Sequence, residues 1–213
     1  AIYCNTGTLY HDQNGRRSKV TDGVISISTP PPAVPSPSPP SPSPNKASHL
    51  RERIIQLYRA PVPSLCDHPA GTLVDGSLPG ISEVDGYVAL RAKQSPQQAE
   101  NLVSFGDLTG DGSIDAAAVF GCSQGGVDWP NKIVLYSPGP KLLGSVDLKE
   151  ITPAEHSDVD RISIEGGDAL LKWKSYEGAN SCLKEWSARL HWDGKTPEVL
   201  DLTQVGGVGP GSC

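Results

Sequence analysis

Residues 30–44 read PPPAVPSPSPPSPSP, with proline at nine of fifteen positions. Proline fixes φ and brings no N–H, so this run can enter neither a helix interior nor a central strand. It is expected to form a polyproline II rod or semi-rigid spacer, roughly 45 Å long at about 3.1 Å per residue. Ser36, Ser38, Ser41 and Ser43 alternate with proline and are candidates for O-glycosylation, as in mucin-like stalks. A proline-motif ligand is the lesser reading, because basic anchor residues are missing. The rod divides the chain into an N-terminal arm (1–29), a linker (30–45), a head (46–204) and a glycine-rich tail (205–213).

Eighteen basic residues stand against 24 acidic ones, a net charge of −6. An acidic chain without a basic cluster argues against nucleic acid as partner. Apolar runs are about five residues long, as at Ala116 to Phe120, whereas a membrane-spanning helix needs about 20. The chain holds no Met and begins Ala1-Ile2-Tyr3-Cys4, as expected after removal of a targeting segment or in a shortened chain.

The five cysteines are scattered, with no CxxC pair and no Cys/His set at a spacing that suggests zinc. That usage fits disulfides in an oxidising compartment and an extracellular or cell-surface location. Cys66, Cys122, Cys182 and Cys213 are the disulfide candidates, with three connectivities open. Cys4, distant in sequence from the head, is the candidate for an intermolecular bond.

Within the arm, Ile2 to Leu9 and Val24 to Ser28 read as strands, and Asn14-Gly15 as a turn. Some 29 residues bury no core of their own, so the arm must pack on the head or on another molecule. In the head, Leu50, Ile54, Leu57 and Tyr58 share one face of a helix expected at 46–59, which Pro61 stops. Ser95-Pro96 with Gln98 suggests a second helix opened by a capping box. The remainder reads as strands: Ile133 to Tyr136, Leu142 to Leu148, Val159 to Ile164, Ala169 to Trp173 and Trp186 to Trp192. The last alternates Trp186, Ala188, Leu190 and Trp192 with polar residues, and Asp193-Gly194 turns it towards Val199-Leu200. The tail, Val205 to Ser212, is expected to be irregular unless Cys213 pins it. The expected fold is α+β, mostly antiparallel sheet with one or two helices, preceded by the rod and the strand-like arm.

The most specific motif runs from Phe105-Gly106 through Asp107-Leu108-Thr109-Gly110-Asp111-Gly112-Ser113-Ile114-Asp115. Oxygen-bearing side chains fall at loop positions 1, 3, 5 and 9, with glycine at 6. Calcium takes six to eight hard oxygen ligands in a flexible shell. The candidate ligands are Asp107, Thr109, Asp111, Ser113 and Asp115. Three carboxylates this close in sequence repel one another without a cation. An EF-hand needs a bidentate Glu at position 12, where this chain has Ala118, so the loop is expected between strands. The alternative is a tight Asp/Gly turn with no ion.

This stretch resembles an FG-GAP or VCBS-type repeat, whose FG pair precedes DxDGDGxxD. Thr109 replaces one Asp of that pattern, which implies weaker binding. One copy is present, so no multi-bladed propeller is implied. A wider run of short words also resembles an uncharacterised domain of secreted or surface-anchored actinobacterial proteins. Those words are Cys66-Asp-His-Pro-Ala-Gly-Thr-Leu, the FG-Asp loop, Cys122-Ser-Gln-Gly-Gly-Val-Asp-Trp-Pro, Leu142-Leu143-Gly144, Cys182 and Trp192-Asp193-Gly194. The resemblance implies a non-catalytic extracytoplasmic domain and names no ligand.

No GxSxG frame is present, the five His are isolated, and abundant carboxylates by themselves identify no catalytic pair. Trp129, in a glycine-rich loop, could stack on a sugar, though a buried anchor is the simpler role. The expectation is a non-enzymatic structural protein. It is a calcium-stabilised, disulfide-linked subunit of a glycosylated surface or fibre that self-associates through residues 1–29. The alternatives are a monomeric cell-surface module binding a glycan or protein from a proline-rich stalk and, less favoured, a secreted hydrolase.

Overall fold

The computed structural model describes residues 2–5, 8–13, 16–19, 44–126, 128–176 and 183–208, with backbone alone for 2–5, 8–13, 16–19, 44–47 and 208. The chain divides into two compact units, 1–41 and 42–213. The proline-rich run up to Ser43 lies outside the described residues, with its four candidate serines. So do Val24 to Ser28, Cys182 and Cys213, and the side chain of Cys4.

The first unit holds an antiparallel meander of β1 (Ile2–Asn5), β2 (Thr8–Gln13) and β3 (Arg16–Lys19). The expected single strand from Ile2 to Leu9 is in fact two, because Asn5 pairs with Thr8 and the chain reverses between them. Gln13 pairs with Arg16 on either side of Asn14-Gly15.

The second unit opens with α1 (Pro44–Leu57), which starts two residues before the expected 46 and takes in the end of the linker. Proline is tolerated there because a first-turn N–H has no partner within the helix. Ile54 and Leu57 are buried, and Leu50 and Tyr58 pack against the same core, as the helical spacing predicts. Two short ladder pieces follow, β4 (Pro61–Val62) and β5 (Gly71–Thr72).

The first large sheet contains β6 (Tyr87–Leu90), β7 (Val103–Gly106), β8 (Asp115–Ser123), β9 (Lys132–Ser137) and β10 (Lys141–Asp147). Its order is β10-β9-β8-β6, with β7 also on β8. β7 pairs with the first half of β8 (Val103 opposite Ala118) and β6 with the second (Leu90 opposite Phe120). Between them the chain makes α2 (Arg91–Gln94), a 3-10 turn at Pro96–Gln98 and α3 (Ala99–Leu102). The expected capping box is absent: Ser95 makes no side-chain cap, and helical turns run on both sides of it.

Every residue of β8 is buried. A strand covered on both faces needs no polar alternation, and its Ala116-Ala117-Ala118 run lets neighbours approach closely. Gly106 serves the same packing. A Cβ there would lie 2.6 Å from Ile164 Cγ2, so only glycine admits this approach.

After α4 (Leu148–Ile151), the chain forms a meander in sequence order: β11 (His156–Glu165), β12 (Asp168–Tyr176), β13 (Leu183–Trp192) and β14 (Pro197–Val208). All ladders are antiparallel, so the fold is α+β and mainly antiparallel sheet. Trp173 is fully buried, while Trp186 and Trp192 pack half-buried on the core beside Ala188 and Leu190. β14 runs to Val208 through Gly206-Gly207, so the head extends past the expected boundary at 204 and into the expected irregular tail. Its ladder is fixed by β13, opposite Leu183 to Trp192, which overrides the low strand propensity of glycine.

Buried polar groups join the two sheets. The Asn131 side chain accepts from the Val159 N–H at 2.9 Å, and the Ser104 hydroxyl accepts from the Ile164 N–H at 2.9 Å. Trp173 Nε1 donates to Thr152 Oγ1 at 3.0 Å. Within the first sheet, buried Lys132 pairs with Asp147 across the β9–β10 ladder.

A disulfide joins Cys66 to Cys122, which selects one bond from the open connectivities. Cys66 and Asp67 occupy a two-residue turn at φ 49° and 61°, closed by paired backbone hydrogen bonds between Leu65 and His68. His68, buried, donates from Nε2 to the Ser123 carbonyl at 2.7 Å. The turn is thus tied to the end of β8 twice. Across a separation of 56 residues, loop-closure entropy gives the bond an upper value of roughly 4 kcal/mol. Replacing both cysteines with alanine should lower the unfolding free energy by about 2–4 kcal/mol in urea titrations.

Candidate functional site

The Asp/Gly loop joins β7 to β8, between strands as the sequence predicts. Gly110 and Gly112 sit at φ 74° and 79°, in the left-handed region that disfavours other residues. A Cβ at either position would meet no atom within 4 Å, so conformation accounts for glycine there.

The carboxylates organise this loop through its backbone. Asp107 accepts from the Gly110 N–H at 2.7 Å with Oδ1 and from the Gly112 N–H at 2.9 Å with Oδ2. Asp111 Oδ1 accepts from the Ser113 N–H at 2.7 Å. That bond, then the Ser113 hydroxyl, holds the Asp111 carboxyl below the usual carboxylate range. Asp115 is fully buried at the head of β8. Its Oδ2 accepts from the Leu108 N–H (2.9 Å), the Thr109 N–H (2.9 Å) and the Thr109 hydroxyl (3.0 Å). Its Oδ1 is buried and has no hydrogen-bond partner among the described residues.

The five expected ligands therefore form one connected loop, all of oxygen-donor type. As they stand, no three Asp, Glu, His or Cys side chains among the described residues form a group able to hold a metal ion. The donor chemistry fits calcium in kind, and the unpartnered Asp115 oxygen is the atom a cation would serve. An uncompensated buried carboxylate oxygen is costly. Asp107 and Asp111 would have to trade backbone N–H partners for the ion.

Trp129 is half-buried on the core, its backbone N–H donating to the Cys122 carbonyl at 2.9 Å. Lys149 Nζ lies 5.6 Å from its ring centroid, so part of the stacking surface is already used. Sequence reasoning missed His68, whose tie to Ser123 spans 55 residues and leaves no local pattern. No helix among the described residues is long and apolar enough to cross a membrane. No protein-family model, curated protein or solved structure matches the chain.

Asp115→Ala would strand two backbone donors and should cost about 3 kcal/mol, or roughly 6–12 °C in melting temperature. Asp115→Asn keeps an acceptor and should cost less than half of that in the same scan. Asp111 has a depressed folded pKa, so its contribution is present above the ordinary aspartate value and lost as pH falls through the lowered one. Acid titration of stability should therefore be shallower in Asp111→Asn than in the parent.

Proposed function

We propose that the chain is a non-catalytic structural subunit of an extracellular surface or fibre assembly. In this reading, calcium in the Asp107–Asp115 loop and the Cys66–Cys122 bond hold the head, and the Pro/Ser run carries covalent glycans. Copies associate through the N-terminal arm, with Cys4 available for an intermolecular bond.

The observation that carries the reading is the outer edge of β14. This twelve-residue strand ends its sheet, and nothing among the described residues pairs with that edge. Leu202 and Val205 are exposed beside it. A long open edge with apolar side chains is a template for strand addition from another chain. Added strands in a head-to-tail arrangement propagate into filaments. Asp115 supports the calcium part, through its buried unpartnered oxygen.

Electron microscopy of the concentrated full chain should show ordered filaments, fewer after chelation, and single particles when residues 1–29 are deleted. A full chain that sediments as a monomer at every concentration contradicts assembly. Calcium at about 100-fold above its dissociation constant adds roughly 2.7 kcal/mol, so the melting temperature should rise by about 5–10 °C. Asp107→Asn/Asp111→Asn should abolish that rise; an equal rise in the variant argues against the loop as the site.

A further inference from the structure

The β11–β14 sheet turns one face to the core, through Ile162, Leu171, Trp173, Ala188 and Leu190. Among the described residues nothing packs over the other face, which holds a groove of about 500 Å³. Arg161, Ser163, Lys172, Ser187 and Arg189 line it.

Its charges are placed in an unusual way. Arg161 on β11 stands directly opposite Lys172 on β12, and Lys172 directly opposite Ser187 on β13. Like charges directly opposite on adjacent strands destabilise a sheet. Arg161 and Lys172 are both exposed, and neither forms an ion pair among the described residues. Carboxylates share the groove, each bonded to a residue other than Arg161 and Lys172. Glu165 accepts from the Ser163 hydroxyl at 3.1 Å. Asp201 accepts from Arg189 Nε at 2.7 Å. Asp168, nearly buried, takes Arg189 Nη1 and His191 Nδ1. Arg189 is thereby held between two carboxylates; with Glu165 the local charges balance, and Arg161 and Lys172 are the lining cations without an ion-pair partner among the described residues.

The backbone is irregular at the same place. The β11–β12 register shifts between Val159 and Arg161, and the β13–β14 register between Ser187 and Arg189. Asp201, at the second shift, sits at φ 53°, a conformation that costs a non-glycine residue energy. Bulges of this kind re-aim side chains and recur beside functional sites. Here the strained residue holds Arg189 in the groove wall.

We propose that this groove binds an acidic polysaccharide, with a sugar carboxylate bridging Arg161 and Lys172 and the Ser163 and Ser187 hydroxyls facing sugar hydroxyls. Arginine and carboxylate form charge-assisted, directional hydrogen bonds. The apolar residues of the lining are Leu170, Leu171 and Ala188, so the groove lacks the aromatic anchor pockets that peptide recognition favours. No aromatic ring lines the groove to stack on a nucleic-acid base. A uronate polymer carries one carboxylate per sugar among neutral hydroxyls, which matches two free cations flanked by serines. The site lies on the head's own sheet face and does not depend on assembly.

The test is calorimetric titration of the full chain at low ionic strength with polygalacturonate, neutral dextran and poly-glutamate. Polygalacturonate should bind, dextran should not, and poly-glutamate should bind at least tenfold more weakly. Arg161→Gln/Lys172→Gln should lose at least tenfold in affinity while its melting temperature holds or rises, because the like-charge opposition is gone. Ser187→Asp, which supplies a carboxylate beside Lys172, should lose binding in the same way. Failure of polygalacturonate to bind, equal affinity for poly-glutamate, or unchanged affinity in both variants would overturn the proposal.

Discussion

Strand β8 is buried along its whole length, so its peptide groups must find partners inside the protein. β9 supplies them on one side, and β7 and β6 share the other. That requirement explains why the chain breaks its edge strand into two pieces with helical turns between them. It also explains why the ends of β8 carry the head's most constrained chemistry. At one end, Asp115 gathers three donors from the Asp/Gly loop. At the other, Cys122 is bonded to Cys66, and Ser123 accepts from His68. Loop and disulfide hold one strand from opposite ends.

The two sheets meet demands of different kinds. The first is covered on both sides at its centre and has little freedom to present side chains. The second is half-covered, and among the described residues nothing pairs with its outer edge or packs over its polar face. The proposed roles follow this division. Burial is concentrated around β8, while the proposed assembly at β14 and ligand capture at Arg161 and Lys172 would use surfaces the core does not need.

Much of this was legible where local pattern decides structure. The alternation in Trp186 to Trp192, the face of Ile54 and Leu57 in α1, and the placing of the Asp/Gly loop between strands all follow from spacing alone. What long-range pairing decides was hidden. Gly206-Gly207 reads as tail and is strand only because β13 lies alongside. Ser95 and Gln98 spell a capping box, but β6 and β7 must both reach β8 and set the path of the turn between them. The Cys66–Cys122 bond, the tie from His68 and the opposition of Arg161 to Lys172 all depend on register. In the loop, sequence identified the oxygen atoms but not their occupation by backbone N–H groups or the solitary buried oxygen of Asp115.

The most direct test of β8 as the keystone is native-state hydrogen exchange of the full chain, resolved by residue. The account predicts that amides of Ala116 to Gly121 exchange only through global unfolding, with opening energies at the maximum for the head, and that β14 opens at much lower cost. Exchange of β8 by local opening, at energies no higher than those of β14, would contradict it.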